Sequence, residues 1–193
     1  MAYKIITPAS AEPITIDEAR MQLRVDGDNG QSTHYDDALI AAQLSAARSW
    51  VQDYLGYIVA PTTIEMALDA FPDCPLALEG GAVQSIVSVS YINIAGVDQS
   101  MSLSDFYLDD YSSQNWLVPK AGTSWPSALQ VANSVKIRYV VGASYLDPMI
   151  RAAILLMLGH LYENRENNST MQIHKLPSDV EYCLSMKRAS WGI

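Results

Sequence analysis

The sequence predicts an α+β protein. A helical core of about four helices comes from both chain ends, and a small antiparallel β module is inserted between the second and third helices. Three observations point this way. Apolar residues recur at helical spacing before residue 60 and after residue 147. From Pro61 the period switches to short alternating runs rich in β-branched residues, punctuated by Gly, Pro, Ser and Asn. Asp147-Pro148 then reopens a helix, with aspartate as N-cap and proline at the first helical position. The expected parts are 1–60, the N-terminal part of the helical core; 61–146, the β insertion; and 147–193, the C-terminal part of the core with a tail.

The first helix is expected over 16–24. Thr15 and Glu18 form a capping box, in which the hydroxyl accepts from an early helix N–H and the glutamate reaches back. Asp26-Gly27-Asp28-Asn29-Gly30 is turn chemistry. The second helix, 36–55, carries Ile40, Leu44, Ala47, Val51 and Tyr54 at three-to-four spacing, with Leu39, Trp50 and Leu55 widening the stripe. Asp36 and Asp37 suit the positive end of its dipole, and Gly56 suits its left-handed ending.

Strands are expected over 62–68, 85–94, 106–108, 116–118 and 135–141, with 95–98 as a hairpin connection, giving about five or six short strands. The third helix, 148–164, is apolar all round between 152 and 158, so that stretch is expected to be the most buried part of the fold. Ser178 with Glu181 is a second capping box, opening a last helix to about 188.

The chain has 193 residues, of which 49% are hydrophobic and 17% charged, enough apolar mass for a real core. The net charge of -9 argues against a protein that grips nucleic-acid phosphates or an anionic membrane surface. Residues 1–60 hold 4 basic and 8 acidic side chains, residues 61–146 hold 3 and 8, and residues 147–193 hold 5 of each, so the C-terminal part is neutral. Cys74 and Cys183 have no metal-ligand spacing and read as small apolar fillers in a reducing compartment. Residues 1–10 carry one lysine and no signal-like apolar run, and 152–158 is far short of the ~18–20 residues of a membrane span. The expectation is a soluble chain made in the cytoplasm.

No sequence pattern supports catalysis or metal binding. His34 and His174 fall in polar stretches, and the third-helix His160 reads as structural, with Glu163 and Asn164 within a turn of it. The acid pairs Asp36-Asp37 and Asp109-Asp110 read as a helix start and a strand, not as an acid/base site. Tyr occurs 11 times and Trp 4 times, a composition that suits either small local cores or a protein interface.

Several segments together resemble a known family. Ala11-Glu12-Pro13-Ile14-Thr15-Ile16-Asp17-Glu18-Ala19, followed by Leu23-Arg24-Val25-Asp26, is similar to the start of tailed-phage head–tail connector (adaptor) proteins. Asp37-Ala38-Leu39-Ile40, the Trp50…Tyr54-Leu55-Gly56 ending and Gly122-Thr123-Ser124-Trp125-Pro126 fit the same pattern. So do His160-Leu161-Tyr162-Glu163-Asn164-Arg165-Glu166 and Leu176-Pro177 followed by Val180-Glu181. Order and spacing together carry the resemblance over nearly the whole chain.

The resemblance implies a structural virion protein at the head–tail junction, a ring, dodecameric on the virion, under the portal vertex. Its partners would be other copies of itself, the portal protein and a stopper or tail-completion protein. DNA would pass through its channel without sequence-specific binding, and no enzyme activity, cofactor, metal or membrane is implied. The acidic balance fits a channel to which a duplex must not stick. The chain departs from shorter members in carrying the β module. Portal docking falls to the C-terminal residues Leu184, Met186, Lys187, Arg188, Trp191 and Ile193, and inter-subunit contact to Trp116 and Trp125. The bland alternative for the C-terminal segment is that Leu184 and Met186 cap the core. Competing functions are another neck or tail completion protein (stopper or tail terminator) and a small enzyme using His160.

Overall fold

The computed structural model describes residues 3–25, 33–112, 114–164, 178–185 and 187–188. The elements run β1 (Tyr3–Thr7), α1 (Ile16–Leu23), α2 (Asp37–Leu55), β2 (Thr62–Leu68), β3 (Leu76–Leu78), β4 (Val83–Ile92), β5 (Asp98–Ser100), β6 (Phe106–Asp109), β7 (Asn115–Pro119), β8 (Val135–Val141), α3 (Pro148–Glu163) and α4 (Ser178–Ser185). Two compact units result. One holds Met1–Ala11 and Tyr57–Ser144, the other Glu12–Gly56 and Tyr145–Ile193.

The first unit is a two-sheet sandwich. One sheet has the order β1-β2-β8-β4-β5, the other β3-β7-β6, and the strand pairs are antiparallel. In β8 the alternation is complete: Val135, Ile137, Tyr139 and Val141 point inward, while Lys136 and Arg138 point out. Ile64 and Met66 of β2 and Val83 and Val89 of β4 join them, and Leu76, Leu78, Phe106 and Leu117 close the core from the facing sheet. The Tyr139 hydroxyl donates to the Glu79 carbonyl at 3.0 Å, and burial pushes its phenol above the ordinary tyrosine range. Gly142, just past β8, has φ +111°, and a Cβ there would stand 2.5 Å from the Ala60 carbonyl oxygen. Only glycine lets these two backbone segments approach so closely.

In the second unit, α1 starts on the expected capping box. The Thr15 hydroxyl accepts from the Glu18 N–H, and Glu18 accepts from the Thr15 N–H at 3.0 Å. Helix α2 buries Ile40, Leu44, Ala47, Val51 and Leu55 and ends on left-handed Gly56. Helix α3 starts as expected, with the Asp147 side chain accepting from the Met149 N–H and Pro148 at its first position.

The expected core of about four helices with a small inserted β module is overturned. Among the described residues eight strands make two antiparallel sheets with a core of their own, so the β part is a principal unit of the fold. In the helical unit α2 and α3 are long, whereas α1 and α4 span only eight residues each and pack against them. Two paired sheet faces bury side chains from six strands at once, a pairing that no short segment reveals singly. β1 comes from residues outside every element the sequence predicts, and its side chains are all exposed.

A second correction concerns α3. Its buried face is Ile150, Ala153, Ile154, Met157 and Leu158, whereas Leu155 is half-buried and Leu156 is 39% exposed. The helix is apolar beyond the stripe that its own unit covers.

Candidate functional site

The polar side chains of the helical unit are occupied in holding helices together. Arg20 donates to Asp37 through Nε at 2.7 Å and through Nη2, and to Asp17 through Nη1 at 3.0 Å. Asp37 also accepts the His34 backbone N–H at 2.9 Å. The bond to Arg20, then that N–H, holds the Asp37 carboxyl below the ordinary aspartate range. The neighbouring Asp36 is buried and accepts from the Tyr162 hydroxyl at 2.7 Å. Arg151 reaches Glu18, and Arg48 holds Glu12 with bonds of 2.6 and 3.2 Å. The acid pair at the start of α2 therefore ties α2 to α1 and α3.

His34 is half-buried, and its Nδ1 accepts from the Asp36 N–H at 3.1 Å. The ring of His160 stands 3.3 Å from the Asn164 side-chain nitrogen, one turn on. Asp109 accepts from the Tyr111 N–H at 3.1 Å in a local turn. Among the described residues no group of three or more His, Cys, Asp or Glu is placed to hold a metal ion. No helix among them is long and apolar enough to cross a membrane. Cys74, expected as an apolar filler, is exposed.

The residues assigned to docking fall into distinct environments. Leu184 is fully buried in the helical unit. Lys187 donates to Asp147 at 2.7 Å, and this bond, ahead of the Met149 N–H, lowers the Asp147 pKa. The Arg188 guanidinium lies over the Tyr54 ring, 5.6 Å from its centroid. These contacts join the end of α4 to the start of α3 and to α2. Met186, Trp191 and Ile193 lie outside the described residues.

Both tryptophans of the β unit are half-buried, but in different settings. Trp125 stacks on Phe71 with ring centroids 4.9 Å apart and on Phe106 at 5.8 Å, and its indole N–H donates to the Cys74 carbonyl at 3.2 Å. Trp116 instead alternates outward on β7, beside Ala77 and Asp109. On the same face Tyr107 is 50% exposed, and Tyr111 in the following turn is fully exposed. Tyr107 carries no sequence-based expectation beyond its strand, yet the inward Phe106 and Leu108 on either side of it signal that it points out.

No family model and no curated protein matches the sequence. Solved structures do match it. The fold is shared with chains from gene transfer agent particles. One, from the virion of the native particle, is 18% identical with a TM-score of 0.75. A second, from the neck of the empty particle computed with C6 symmetry, is 18% identical with a TM-score of 0.77. A third, from the neck of the native particle computed with C12 symmetry, is 16% identical with a TM-score of 0.72. Each match covers 100% of this chain and 98% of the other.

Proposed function

We propose that the chain is a structural subunit of the neck of a phage-like particle. In this reading it is a head–tail connector (adaptor), assembling as a ring under the portal vertex and forming part of the DNA channel between capsid and tail. The observation that carries it is the end-to-end likeness to neck chains, in which both the sandwich and the helical unit are matched. The symmetry of those necks supports self-association into a closed ring. Its place is the virion, at the head–tail junction, with the portal protein on one side and a stopper or tail-completion protein on the other.

The role is architectural, not enzymatic. The paired acids at the start of α2 are spent on Arg20 and Tyr162, and His160 is bonded to Asn164, which supports that side of the reading. A net charge of -9 suits a wall along which a duplex slides without being held. Leu184 is buried and Lys187 and Arg188 make contacts within the unit, so of the C-terminal residues expected to dock on the portal, Met186, Trp191 and Ile193 carry the proposal. Native mass measurement on the full-length chain tests the ring. A closed oligomer of fixed stoichiometry is expected, and a chain that stays monomeric at every concentration and salt overturns the reading.

A further inference from the structure

The two outer faces of the sandwich differ in chemistry. On the five-stranded sheet, Lys4, Glu65, Arg138 and Ser88 lie opposite one another across four strands. The next outward row on that face is Ala67, Lys136, Ser90 and Ser100. Three of the unit's four basic side chains, Lys4, Lys136 and Arg138, thus share one hydroxyl-rich face, and the fourth is Lys120. Lys4 and Lys136 are exposed, and the Arg138 side chain stays 48% exposed while pairing with Glu65 at 2.5 Å. The other acid on the face, Asp98, sits on the far edge strand.

The outer face of the three-stranded sheet has the opposite character. Ala77, Trp116 and Asp109 form one outward row and Val118 and Tyr107 the next, with the exposed Asp110 and Tyr111 in the turn that follows β6. Exposed tyrosine and tryptophan are enriched at protein interfaces, and here Asp109 stands beside Trp116.

We infer that these faces are the two halves of one contact between copies of this chain, the acidic aromatic face of one copy seated on the basic hydroxyl face of the next. The inference rests on the ring reading above and supplies it with a surface. A face meeting its own kind would set Lys4, Lys136 and Arg138 against their equivalents, and like-charge opposition is costly. Unlike faces attract. Because they are the two outer sides of one sandwich, the contact is heterologous: it propagates in one direction and closes into a ring when the rotation per step closes. Phosphates of a nucleic acid would also suit the basic face. The complementary aromatic and acidic face on the same unit favours a second copy.

The test is reciprocal charge reversal in the full-length chain, read by sedimentation velocity. K4E/K136E reverses one face while leaving Arg138 and Glu65 themselves in place, and Y107K/D110K puts lysines on and at the edge of the other. All four side chains are exposed, and a melting curve of each variant, K4E standing opposite Glu65, separates lost assembly from lost folding. Each variant alone should raise the half-assembly concentration roughly tenfold or more. An equimolar mixture should restore a ring containing the two variants in equal number, since each reversed face then meets its opposite. Parent-like rings from either variant alone overturn the contact and leave the ring reading intact, as does a mixture that fails to reassemble. A K4E/K136E protein that assembles normally but loses DNA retention assigns the face to phosphate and also overturns it. A parent chain that forms no ring overturns the ring reading and this contact together.

Discussion

The Arg20 guanidinium lies along the Asp37 carboxylate as a two-armed pair, fixing α1 to the first turn of α2 across 17 positions of sequence. The geometry is a planar fork against a planar acceptor, with Asp17 taking a third N–H. Neither partner was singled out as a pair by the sequence, where Asp37 read only as a charge at a helix start.

A pH dependence follows from this pair. Arg20 and the His34 N–H depress the folded pKa of Asp37 below the ordinary 3.8. A depressed carboxylate contributes stability above its unfolded pKa and loses it as pH falls through the folded value. D37N should therefore melt below the parent at neutral pH, and the gap should close as pH drops below about 4. Melting curves from pH 7 to acid check this, and a constant gap would show that the charge on Asp37 contributes nothing.

Neighbouring positions on α3 should differ sharply. Ile154 is fully buried, so I154A should cost about 2–5 kcal/mol through transfer and cavity terms. Leu155, half-buried beside it, should cost roughly 1–2 kcal/mol on change to alanine. Urea denaturation of the two variants separates them, and equal losses would mean that α3 is covered on both faces.

Gly142 and Gly122 offer a similar contrast within the β unit. Both have positive φ, +111° and +86°, but a Cβ at Gly122 would meet nothing within 4 Å. G122A should cost about 1–2 kcal/mol, the penalty of a left-handed backbone alone. G142A adds a clash with the Ala60 carbonyl carbon and oxygen and the Pro61 nitrogen at 2.5–2.8 Å, which the backbone must move to relieve, and it should cost at least about 3 kcal/mol. Equal midpoints in denaturant would show that the strands part there at no cost.

What the sequence made legible was local. The capping box at Thr15, the Asp147-Pro148 start and the α2 stripe through Ile40, Leu44, Ala47 and Val51 depend on residues within a few turns of each other, and each is present. The strands β1, β3 and β5 were not legible. β3 and β5 are three residues long, too short for a period to stand out in the sequence, and β1 is an edge strand with every side chain exposed. The weight of the β unit was missed for a related reason: its core joins Ile64, Leu78, Leu117 and Ile137, residues brought together by the pairing of strands distant in sequence. The same limit hid the candidate assembly faces. Lys4, Lys136 and Arg138 become one surface only once β1, β2 and β8 lie side by side.

The two tryptophans assigned to inter-subunit contact should separate under mutation. Trp125 is engaged inside its own unit by Phe71, Phe106 and the Cys74 carbonyl. Each aromatic pair adds to the area it buries, so W125A should lower folding stability by roughly 2–4 kcal/mol. Trp116 faces outward among Ala77, Asp109 and the exposed Tyr107, where truncation removes little intramolecular contact, and W116A should stay within about 1 kcal/mol of the parent. Assembly should respond in the opposite order. W116A, folded and stable, should shift sedimentation toward the free chain, because an aromatic at the centre of a contact carries a large share of its energy. W125A, examined well below its melting temperature, should assemble as the parent does. A W116A protein that unfolds early would place that ring in the local core, and a stable W125A protein that no longer assembles would move the contact to the other tryptophan.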